Sequence, residues 1–173
     1  MIGTVVANFF RFLILVLLQA LVIDHVDLAN GWVAPYLYVL FLLMLPLDTP
    51  PWAALLIGFL TGMVLDLFSS TPGLHASACT VMAYVRTLLL RALAPREGYD
   101  QGQRATVADM GLAWFMTYAG LLVLVHHLWL FYMEVFRFDG FIVTFVRVIA
   151  SSAATLVLCL LAQLLMARAA RNR

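Results

Sequence analysis

Lysine is absent from this 173-residue sequence, and charged residues of every kind amount to only 11%. A soluble domain of this size is about a quarter charged. That scarcity, together with 65% hydrophobic residues and a mean hydropathy of +1.01, excludes a water-soluble globule and reads as an integral membrane protein. The formal net charge of +1 says nothing about nucleic acid, which is not among the expected partners; the distribution of the charges informs the topology. Cysteine is limited to Cys79 and Cys159, both inside apolar runs. With no Cys or His ligand at metal spacing beside them, they read as buried packing residues rather than as a disulfide or a metal pair. An HExxH helix, a Gly-x-Ser-x-Gly elbow and a close carboxylate pair are all missing, so nothing asks for catalysis, a metal or a cofactor.

What is present is a series of apolar runs, and their count gives the expected fold: an all-α bundle of six transmembrane helices forming one domain over 1–173. The spans are expected at about 5–23, 32–47, 52–68, 74–93, 110–136 and 141–167. Arg11 lies inside the first run and Ile23-Asp24-His25 is no cleavage site, so that run reads as a retained helix and not a signal peptide. The second run is short. Trp32 and Tyr36 read as interfacial anchors at its start, and Pro46-Leu47-Asp48-Thr49-Pro50-Pro51 closes it. Thr49 and Pro50 then suit the N-cap and first turn of the third helix. Arg137-Phe138-Asp139-Gly140 reads as a tight turn between the last two runs. With the N-terminus cytoplasmic, Arg11, Arg86, Arg91, Arg96, Arg104, Arg168, Arg171 and Arg173 all fall at or near the inner side, so both ends are expected in the cytoplasm. The loop from Pro95 to Asp109 reads as a solvated connector.

Polar residues within the apolar runs are expensive and mark function by default. In this topology Asp66, His75, His127, Glu134 and Arg147 gather at one level near the outer third of the bilayer, with Ser151 and Thr155 continuing the Arg147 stripe at i+4 steps. Two readings of this outer polar cluster are open. One is a structural network in which Arg147 pairs with Asp66 or Glu134; the other is an outward pocket for a small polar ligand or an ion. Arg86, near the inner end of its run, is expected to snorkel to the interface. His126-His127 is not a metal pair by spacing, because adjacent helical residues point about 100° apart.

The stretch from Gly58 to Ala76, GFLTGMVLDLFSSTPGLHA, concentrates these features. Gly58, Gly62 and Asp66 drift only about 40° per step and share one helix face, with a small-xxx-small groove ending at a carboxylate. That groove serves either packing within the bundle or the docking of a different chain. A breaker turn through Pro72-Gly73 leads to His75.

This Gly-x3-Gly-x3-Asp run, its breaker and Gly-Leu-His-Ala resemble the rod-shape-determining MreD family of bacteria. The similarity extends to the chain length, the short second helix ending in Leu-Pro-Leu-Asp-Thr-Pro, the Pro95-Arg96-Glu97-Gly98-Tyr99 sequence after the fourth helix and the His126-His127 pair. Membership implies a non-enzymatic scaffold or regulatory subunit of the elongation (rod) complex in the inner membrane, acting in peptidoglycan synthesis and cell shape. Its implied partners are MreC, RodA, the class B penicillin-binding protein, MreB and membrane lipid. The family motif carries over onto Gly58, Gly62, Asp66 and Gly73 as partner-binding positions. The family's fold is similar to the substrate-binding subunits of energy-coupling-factor vitamin transporters, which makes a solute-binding subunit the alternative. A membrane enzyme acting on a lipid-linked sugar is the third possibility.

Overall fold

The computed structural model describes residues 2–100, 102–136 and 140–171, with side chains omitted at 2, 4, 5 and 167–171. The described residues form helices and no strand. They are α1 (Ile2–Leu21), α2 (Val39–Leu43), α3 (Pro51–Ser69), α4 (Leu74–Ala92), α5 (Val107–Met110), α6 (Leu112–Val135) and α7 (Phe141–Arg171). Four segments are long and apolar enough to cross a membrane: Val6–His25, Pro51–Ser69, Leu112–Val135 and Phe141–Met166. Their outward faces are apolar. Phe9, Ile14, Leu56, Leu67, Ile142 and Leu165 stand exposed around the bundle, as lipid contact requires. The turn at 137–139 and the side chains of Arg168, Arg171 and Arg173 lie outside the described residues.

The second run departs most from expectation. Its only helix is the five-residue α2, and the chain from Leu37 to Leu45 is buried throughout. Pro35 and Pro46 bracket the segment. Proline has no N–H to give a helix and disfavours helical backbone in the residue before it, so a long helix cannot run through either end. Tyr36, expected at the interface, instead lies against the rings of His75, His126 and His127, with centroids 5.5, 5.9 and 5.3 Å away. The run forms the centre of the bundle rather than one of its outer staves.

At α3, Pro51 takes the first turn, and Pro50, extended at φ −63° and ψ 146°, occupies the position ahead of it. Thr49 does not cap the helix; its hydroxyl donates to the Pro46 carbonyl at 2.6 Å. The connection after α4 is also more ordered than a solvated connector. The Leu47 N–H donates to the Gln103 carbonyl, Ala105 is fully buried, and the Val107 N–H donates to Gln163 Oε1 on α7. The Tyr99 phenol donates to the Leu90 carbonyl, and burial lifts its pKa above the usual tyrosine value. The connection thus folds back to close one end of the central segment.

Candidate functional site

The glycine face of α3 is filled by α4. A Cβ added at Gly58 would sit 2.9 Å from the Cys79 carbonyl oxygen and 3.0 Å from the Ala83 Cβ. One added at Gly62 would overlap the backbone of His75 and Ala76. The close approach that small residues allow is therefore used inside the chain. Gly58 and Gly62 do not offer a free groove to a second protein, which corrects their assignment as partner-binding residues.

Asp66 completes the same joint. Its Oδ1 accepts from the Thr71 hydroxyl (3.0 Å) and the His75 N–H (2.9 Å). Its Oδ2 accepts from the Gly73 N–H and the Ala76 N–H (3.0 Å each). These amides belong to the first turn of α4 and the turn before it, donors that have no partner within a helix. A buried carboxylate there satisfies them and complements the helix dipole. The turn requires Gly73 at φ +86°, a conformation that L side chains rarely adopt. Asp66 and Gly73 thus act on their own hairpin, and Asp66 is not the partner of Arg147.

The three histidines form directional chains. Tyr38, with no exposure, places its hydroxyl 2.9 Å from His75 Nδ1 and 2.8 Å from His126 Nε2. A phenol has one hydrogen, so it donates to one ring and accepts from the other. Among the described residues His126 Nδ1 has no partner. That nitrogen is least costly as a bare lone pair, which assigns the His126 proton to Nε2 and directs the Tyr38 hydrogen to His75. His127 Nδ1 donates to the Val123 carbonyl (2.9 Å), so its Nε2 accepts from Thr155 Oγ1 (3.1 Å), which in turn accepts the Tyr36 N–H (2.9 Å). Arg147 lies 3.3 Å from Glu134 and 4.4 Å over the Phe131 ring. The pair is partly open, at 27% and 43% exposed, so its electrostatic contribution is small. Of the outer polar cluster, His75, His127, Arg147 and Glu134 come together around Tyr36 and Phe131 while Asp66 stays with its own hairpin, and His126 joins as a residue that spacing alone did not select.

A second group of lone polar residues has one shared role. Gln19, 1% exposed, accepts the Leu37 N–H at its Oε1 and donates from Nε2 to the Pro35 carbonyl and Asp24 Oδ1. Ser151 accepts the Ala34 N–H, and Tyr118 donates to the Leu43 carbonyl. Arg86 is 1% exposed and does not snorkel. Its Nη2 donates to the Leu45 and Pro46 carbonyls (2.8 and 3.0 Å), and its Nε to the Tyr118 hydroxyl (2.9 Å). Together they supply the hydrogen bonds that the non-helical ends of the central segment lack. Irregular backbone survives at membrane depth only when it is enclosed in protein and satisfied this way. The sequence signal for these roles is a short apolar run bracketed by prolines, with isolated polar residues in the runs around it.

Beside the histidines lies a cavity of ≈ 490 Å³ whose lining includes Asp24, His25, Asp27, Tyr36, His75 and Glu134. Among the described residues no group of three or more His, Cys, Asp or Glu side chains is arranged to hold a metal ion. Compared with known proteins, the chain matches no family model, no curated protein and no solved structure.

Proposed function

We propose that this chain is a non-enzymatic, multi-pass inner-membrane scaffold of the bacterial elongation machinery, binding MreC and linking it to RodA and the class B penicillin-binding protein, with MreB on the cytoplasmic side. The observation that carries this reading, with the MreD-like run from Gly58 to Ala76, is where the buried polar groups go. Asp66, Gln19, Arg86, Ser151 and Thr155 are committed to the chain's own backbone. A fold that uses its polar groups for internal rigidity suits a scaffold.

In this proposal the chain crosses the membrane six times, with both termini cytoplasmic. The central segment runs parallel to α4. Tyr38 meets His75 and Leu45 meets Arg86, so both elements advance from one level to the next over eleven α4 residues, about 16 Å at 1.5 Å per residue. The end carrying Arg86, Arg91, Arg96 and Arg104 is the inner one.

The surface for a partner helix is a notch between α1 and α3, of ≈ 660 Å³, walled by Phe9, Phe12, Ile57, Leu60, Met63 and Val64. Phe9, Leu60 and Met63 are exposed along it. Mass spectrometry of proteins co-purified with the tagged chain in mild detergent tests the reading. MreC together with RodA or a penicillin-binding protein is the expected result, and recovery of an ATP-binding-cassette module with a coupling protein overturns it. Leu60→Trp, which fills the notch, is expected to release MreC without changing the melting temperature of the chain.

The cavity beside His75 and Glu134 favours a second reading, a solute-binding subunit of the vitamin-transporter type. Under that reading, vitamins screened against the purified chain raise its melting temperature at saturation, as tight ligands must. Under the scaffold reading none does.

A further inference from the structure

At the arginine-bearing end, another cavity of ≈ 460 Å³ lies between α1, the connection ahead of α6, and α7. Its walls include Arg11, Arg104, Asp109 and Gln163. Arg11 donates from Nη1 to Asn8 Oδ1 at 2.7 Å, but its Nε is buried without an acceptor among the described residues. Gln163 is 6% exposed, and its Oε1 is taken by the Val107 N–H at 2.8 Å. That bond fixes which way the amide points and leaves Nε2, also buried, without a partner among the described residues. Arg104 is exposed, and no carboxylate of the described residues pairs with it.

The cavity therefore presents two guanidinium groups and an oriented amide donor against a single carboxylate. Among the described residues Arg11 Nε and Gln163 Nε2 lack an acceptor, and the excess charge is positive. A phosphate oxygen set matches both, because guanidinium N–H groups bind phosphate with paired, charge-assisted bonds. Leu164 and Met166 line the same cavity and are 55% and 41% exposed at its lip, giving an acyl chain a wall to lie along.

We propose that this cavity binds the phosphate of an anionic phospholipid headgroup, with Arg11, Arg104 and Gln163 as donors and the acyl chains along Leu164 and Met166. The inference is independent of the scaffold reading, since lipid retention is measured without any protein partner.

Native mass spectrometry of the full chain in non-ionic detergent tests it, titrated with phosphatidylglycerol, with phosphatidylcholine and with inorganic phosphate. Phosphatidylglycerol is expected to bind about tenfold more tightly than phosphatidylcholine. Arg104→Gln and Gln163→Glu are expected to lose that preference. The Glu variant keeps the acceptor for the Val107 N–H while replacing the donor with a carboxylate. Equal retention of the two lipids, or an unchanged preference in both variants with parental melting curves, overturns the proposal. Displacement of phosphatidylglycerol by inorganic phosphate alone supports the phosphate chemistry and reassigns its source to a soluble anion. Should Gln163→Glu fail to fold, Arg104→Gln, at an exposed position, decides the matter.

Discussion

At the scale of the residue, Asp66 and Gly62 are the sharpest tests of the α3–α4 joint. Asp66→Asn replaces one acceptor oxygen with an amide that faces donors, stranding two hydrogen bonds at the start of α4. Each buried unsatisfied group costs about 1–3 kcal/mol. The variant is therefore expected to lose about 2–4 kcal/mol, read as a fall in melting temperature in detergent. Gly62→Ala must push α4 away, because the new methyl overlaps the backbone at His75 and Ala76. Overpacking of this kind costs about 1–3 kcal/mol. Gly120 is the internal control, since a Cβ there meets nothing within 4 Å. Gly120→Ala is expected to hold or gain up to about 1 kcal/mol from helix propensity. Equal melting temperatures for the Gly62 and Gly120 variants would remove the close-packing argument.

The decisive element is the central segment from Ala34 to Leu47. Its own backbone hydrogen bonds run between Tyr36 and Leu45, and its ends depend on Gln19, Arg86, Tyr118, Ser151 and Thr155. Arg86→Met strands the Leu45 carbonyl, leaves the Pro46 carbonyl only its Thr49 donors, and is expected to cost about 2–4 kcal/mol, read as a shrinking monodisperse peak in size-exclusion chromatography. Tyr118→Phe should cost less, about 1–2 kcal/mol, because the Leu43 carbonyl loses one donor. The two residues share a bond, so their double variant is expected to fall short of the sum of the single effects. Strict additivity would mean that the arginine and the phenol act separately.

At the scale of the whole molecule, the proposed six crossings predict which loops face which side. Asp27→Cys, in the loop before the central segment, is expected to react with a membrane-impermeant maleimide in intact cells. Glu97→Cys, in the connection after α4, is expected to react only after lysis. The native Cys79 and Cys159 are free and fully buried, so they contribute little background. Labelling of both positions from the same side would reduce the central segment to a re-entrant excursion and change the topology.

Much of this architecture was legible in the sequence because hydrophobic run length is a one-dimensional property. The absence of lysine, the low charge and the long apolar runs determine a membrane protein with helices near 5–23, 52–68, 74–93, 110–136 and 141–167, each close to an observed helix. The Arg147–Glu134 contact was also accessible, because helical spacing puts both at one depth. Composition could not reveal that the second run would be enclosed on every side, since a buried core segment and a lipid-facing helix have the same apolar residues. That distinction rests on which neighbours surround it, and only tertiary structure decides it. The same holds for Arg86 and the glycine face. An arginine near a helix end can reach water or a buried carbonyl, and a small-residue stripe can receive α4 or another protein. Sequence spacing specifies the direction in which each side chain points, but the partner that waits there is set by the packing of the other helices.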